Sequence, residues 1–116
     1  MKKDIKEEIT QLALKYIDGI ENGKLSRSHA AHKKLSLICK QKCATEDQGN
    51  AFFSDLITHE EPAVRLLAAT YLYITDHERG IAEFQKLKEL RISHISLLAS
   101  SNLWWIKQGL FQIDLD

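Results

Sequence analysis

Apolar residues recur at three- and four-residue spacing along this chain, in six runs separated by short polar segments. Ile5, Ile9, Leu12, Tyr16 and Ile20 form one stripe, which predicts a helix over residues 4–21. Asp4 and Glu7 have capping-box spacing at its start, and Asn22-Gly23 ends it. A second helix is predicted over residues 26–43, with Ala31, Leu35, Ile38 and Cys39 inward. Thr45-Glu46-Asp47-Gln48 reads as another capping box, opening a third helix over residues 45–58. The fourth falls within residues 59–75, with Pro62 at its first helical position and Glu60 and Glu61 at the positive end of its dipole. Asp76 caps a fifth over residues 76–90. Ser93 caps a sixth over residues 93–108, where Gly109 is the stop. The tail from Leu110 alternates apolar and polar residues, as an extended or frayed segment does.

The fourth run organises the rest. Val64, Leu67, Ala68, Tyr71 and Leu72 make one apolar stripe, while Leu66 and Tyr73 lie on nearly the opposite side. A helix apolar on two sides is sandwiched between neighbours or offers its second side to a partner. A shift of 31 residues then superposes Gly49 on Gly80, Phe53 on Phe84 and Leu56 on Leu87. It also superposes Val64 on Ile95, Leu66 on Leu97, Ala68 on Ala99, Leu72 on Leu103 and Tyr73 on Trp104. So many matches in one register predict two tandem helix pairs, residues 45–75 and 76–109. Residues 1–44 form a divergent capping hairpin, and residues 110–116 a tail. The expected fold is a single all-α domain of about six helices, stacked as three pairs into an α-α superhelix.

The segment from Pro62 to Leu72, with its Val64-Arg65 pair and Ala68-Ala69 step, resembles the second helix of a short HEAT-like repeat. Over residues 45–109 the chain is similar to a bacterial domain-of-unknown-function family of about this length. In that family a Val-Arg-x-x-Ala-Ala helix is followed by a pair ending near Trp and Gly, as at Trp105 and Gly109. The second unit departs from the pattern, with Ser96 where Arg65 stands in the first. The resemblance implies a fold and no activity.

The length of 116 residues suits one domain, and one proline with five glycines argues against long irregular regions. Formal net charge is zero but unevenly spread. Residues 1–43 carry ten Lys/Arg against five Asp/Glu, and residues 44–116 carry six against eleven. Such charge either covers solvated helix faces, the favoured reading, or makes a molecule with a basic end and an acidic end. A nucleic-acid binder using Lys33, Lys34, Lys40 and Lys42 would carry a stronger basic excess. No run of about 18 apolar residues predicts a membrane span. The start, Met1-Lys-Lys-Asp-Ile-Lys-Glu-Glu, lacks the apolar core of a signal peptide. With two cysteines, this predicts a cytoplasmic protein with free thiols.

No chemistry assembles in the sequence. His29, His32, Cys39 and Cys43 share a side of the second helix, but seven residues separate His32 from Cys39, about 10 Å of rise. One ion with ligands at about 2.1–2.3 Å does not bridge that span. A cysteine on a core stripe is inert as a nucleophile. Phosphate loops, nucleophile elbows and His-Glu-x-x-His are absent. His59-Glu60 and His77-Glu78 are polar positions beside helix starts. Neither a catalytic group, a cofactor nor a metal is expected.

The second stripe is the functional lead. Leu66, Tyr73, Leu97 and Trp104, with Arg65 at the margin, are either covered by the N-terminal hairpin or the tail (Phe111, Ile113, Leu115) or exposed as a partner-binding patch. The expected function is a non-enzymatic protein-binding module. By size, class and resemblance it would be an immunity protein that neutralises a cognate bacterial toxin. The alternatives are an adaptor or assembly scaffold, and a nucleic-acid-binding repeat. The sequence leaves the oligomeric state open. Purified protein should contain no stoichiometric zinc, and a chelator should leave its melting temperature unchanged. One tightly held ion per chain would contradict this reading of His29, His32, Cys39 and Cys43.

Overall fold

A computed structural model describes residues 4–113. These residues form six α-helices and no strand: α1 (Ile5–Glu21), α2 (Leu25–Cys43), α3 (Asn50–Leu56), α4 (Pro62–Leu72), α5 (His77–Glu89) and α6 (Ile95–Lys107). The architecture is the expected all-α stack of helix pairs. The Asp4 carboxylate caps α1 by accepting from Lys6 N–H, and the Asp76 carboxylate caps α5 by accepting from Arg79 N–H. Pro62 occupies the first turn of α4, and Gly109 turns the chain with φ +72° just after α6.

Two helix starts differ from expectation. Thr45 does not open α3: residues 45–49 form a turn, and the helix begins at Asn50. The Asp47 carboxylate does the capping, accepting from Gly49 N–H at 3.0 Å, Ala51 N–H at 3.0 Å and Thr45 Oγ1–H at 2.8 Å. Those donors hold its pKa below the usual carboxylate value, the Ala51 N–H contributing most. Likewise Ser93 is not the cap of α6, which starts at Ile95. Ser96 Oγ joins the turn instead, accepting from Ile92 N–H and donating to Leu87 O, each at 2.7 Å.

Helix α4 lies at the centre, with α1, α3, α5 and α6 all against it, while α2 closes on α1 and α6 on α5. Seven of its eleven residues are buried. They point in every direction around the helix, so α4 has neighbours on several sides, while Pro62, Arg65, Leu67 and Thr70 stay partly exposed. Between the two repeat units, burial follows the 31-residue register at several core positions but not at Leu72, whose counterpart Leu103 is only partly buried. Phe53 and Phe84 are both fully buried, as are Ala68 and Ala99, and Val64 and Ile95 also lie in the core.

Gly80 lets α5 approach α4 closely. A Cβ there would lie 2.9 Å from Tyr73 Cβ and 3.2 Å from Ala69 O, so alanine would force the helices apart. The equivalent Gly49 serves a different need, adopting φ +81° before α3.

Truncating Phe84 to alanine removes one of the two largest fully buried side chains. The variant should lose about 3–5 kcal/mol in urea unfolding. A loss below about 1 kcal/mol would show that the site collapses without a cavity or that Phe84 is not core.

Candidate functional site

The second stripe divides between its two copies. In α4, Leu66 is buried, 8% exposed. Tyr73 is half-buried, its ring packed edge-on against Phe111 at 5.2 Å and tilted over His77 at 4.4 Å. Arg65 does not reach solvent as a free cation, because its Nε donates to Glu83 Oε1 at 2.6 Å. These three of the five expected partner-binding residues are therefore engaged within the protein. In α6, Leu97 and Trp104 are 65% and 54% exposed. Of the tail residues expected to cover the stripe, Phe111 lies over Tyr73 and Phe84, Ile113 packs half-buried on the core, and Leu115 is outside the described residues.

The difference follows from stacking order. In α4 the side carrying Arg65, Ala69 and Tyr73 meets α5, through the Arg65–Glu83 pair and the close approach of Gly80. In α6 the equivalent side carries Ser96, Ser100 and Trp104, with Leu97 beside it, and no described helix lies over Leu97 and Trp104. Trp105 stands beside Trp104, ring to ring at 4.9 Å and nearly perpendicular, and is itself 44% exposed. Leu110 extends the apolar surface past the helix end. The outer side of α6 thus exposes Leu97 and two indoles, with Leu110 exposed beyond the helix end.

Sequence reasoning missed Trp105, Leu110 and Glu83. Glu83 was detectable in principle, since Gly80, Glu83 and Leu87 share the inward face of α5, and a carboxylate on a core stripe requires a partner. Its side chain is 6% exposed and its second oxygen lies 4.0 Å from Lys86 Nζ.

A second feature is a cleft of about 220 Å³ between the helix pairs. Helix α4 forms its floor with Ala63, Leu66 and Thr70. One wall comes from α1 and α2, with Tyr16, His32 and Ser36, and the other from α6, with Leu98 and Asn102. The rings of Tyr16 and His32 meet at 5.2 Å, and burial raises the Tyr16 pKa above its ordinary value.

The remaining candidates do not converge. Among the described residues no three His, Cys, Asp or Glu side chains come together as ligands. His29 and His32 are exposed on α2, away from the buried Cys39. Burial pushes the Cys39 thiol up to about 12, with the nearby Cys43 adding to the shift, so the nucleophilic thiolate is suppressed. Lys33 and Lys34 are exposed, whereas Lys42 lies over the Phe52 ring, 4.8 Å from its centre. No helix is long and apolar enough to cross a membrane among the described residues.

No family model, curated protein or solved structure matches this chain.

The Arg65–Glu83 pair generates a direct test. Arg65→Ala leaves the buried Glu83 carboxylate with only the distant Lys86 ammonium. Removing one partner of such a pair should destabilise the fold by about 3 kcal/mol. An Arg65→Ala variant as stable as the parent protein would show that the pair does not join α4 to α5.

Proposed function

We propose that this chain is a non-enzymatic protein-binding module that docks a partner helix on the outer face of α6. The observation that carries the reading is the exposure of Leu97 and Trp104 at the register positions of Leu66 and Tyr73. Tryptophan is enriched at the energetic centres of interfaces, and a helical stack binds through faces of this kind. An apolar stripe on a helix is satisfied by another helix laid along it. Gly80 of α5 against Tyr73 supplies an internal template. The partner helix sets a glycine or alanine opposite Trp104, with apolar residues about two turns away against Leu97.

Chemistry of other kinds has less support. The Cys39 thiol is held protonated, and the described histidines and carboxylates form no metal-ligand cluster. For the partner's identity, the small size and all-helical class favour a toxin that the module neutralises, an argument from analogy alone.

Co-expression with the product of the adjacent gene, followed by affinity capture and calorimetry, tests the reading. Trp104→Ala and Leu97→Ala should each weaken the complex. A central anchor is worth at least about 2 kcal/mol, roughly thirtyfold in affinity. Both side chains are more than half exposed, so neither substitution should change the melting temperature by more than a few degrees. Leu14→Ala, on an exposed position of α1, serves as the control and should bind normally. A complex that tolerates both α6 substitutions would contradict docking on this face.

A further inference from the structure

The cleft between α1, α2, α4 and α6 is separate from the outer face of α6 and has a chemistry of its own. Its volume is about 220 Å³. Protein interiors leave few voids larger than one water, and an engineered apolar cavity of about 150 Å³ already takes up benzene. The larger volume here accommodates a second fused ring.

The lining defines the ligand further. No Asp, Glu, Lys or Arg contributes to it. An ammonium group placed there would lose hydration without gaining a counter-charge, and a carboxylate would meet only the His32 imidazole, which favours an uncharged guest. Leu66 on the floor and Leu98 on the α6 wall offer apolar contact to a ring face. Ser36 and Asn102, on opposite walls, have no side-chain hydrogen bond to protein among the described residues, and their side-chain polar atoms are not sealed from solvent. Thr70 Oγ1 donates to Leu66 O at 2.8 Å, which leaves its lone pairs free to accept. A site with apolar walls and a few convergent polar groups is the usual form of a small-molecule pocket. The amide of Asn102 both donates and accepts, so it suits a ring edge that carries a donor and an acceptor together.

We infer that this cleft binds a neutral bicyclic heteroaromatic molecule, with apolar contact to Leu66 and Leu98 and its ring nitrogens within reach of the polar groups of Ser36 on one wall and Asn102 on the other. The inference does not depend on partner docking at α6.

The test is a methyl NMR titration of the full chain with two probes of one shape. Benzimidazole at pH 8 is uncharged and carries a ring donor and acceptor, whereas indene has neither. Benzimidazole should shift the methyl signals of Leu35, Leu66 and Leu98 saturably, and indene should bind at least about tenfold more weakly, as expected when polar groups of a site are left unpaired. Asn102→Leu should remove most of that difference. Ser36→Ala, a smaller change, should reduce it if the first variant does not fold. Trp104→Ala should leave benzimidazole binding intact, which separates this site from the docking face. Absence of saturable shifts up to the solubility limit, or equal binding of the two probes, would overturn the inference.

Discussion

The burial of α4 among four neighbouring helices is the constraint from which the architecture follows. An eleven-residue helix that is apolar almost all round has no stable existence alone, because a short isolated helix is marginal and its exposed apolar surface favours association. It requires neighbours in several directions, and the chain supplies α1, α3, α5 and α6. The approach of α5 is the most specific of these contacts. It depends on a missing Cβ at Gly80 and on the Arg65–Glu83 pair, which satisfies a carboxylate that burial would otherwise leave uncompensated.

The same constraint explains the two candidate surfaces. Helix α6 repeats the apolar stripes of α4 but has a neighbour on fewer sides, so one copy of the stripe is core and the other is surface. On the inner side, small residues on the facing helices, Ala13 and Ala63, leave space where α6 and the α1–α2 hairpin both reach over α4. One surface suits a helix and the other a compact ring system. Neither requires a catalytic group.

The sequence and structure agree most closely where local rules decide. Asp76, Pro62 and Gly109 punctuate helices through their own backbone chemistry, and most of the first stripe of α4 is buried because period and burial are linked, whereas in α6 only Ile95 and Ala99 of that stripe are buried. Agreement fails where competing side chains were near each other. Asp47, two residues past Thr45, captured the free N–H groups and delayed α3 to Asn50. The second stripe could not be assigned from periodicity. Leu66 and Leu97 occupy the same register position, and only the order of stacking separates their environments. Arg65 and Glu83 are eighteen residues apart, and the cleft draws on four helices. Neither leaves a local signal beyond the charge on the inward face of α5.

The central claim is that the outer face of α6 is open in the free protein. The chain has two tryptophans, and both lie on this helix, so its intrinsic fluorescence reports on that face without labelling. Acrylamide quenching of the isolated protein is the most direct measurement. Two indoles that are roughly half exposed should quench readily, and emission should lie near that of tryptophan in water. Blue-shifted emission that resists quenching would place both indoles in a buried environment and contradict the account.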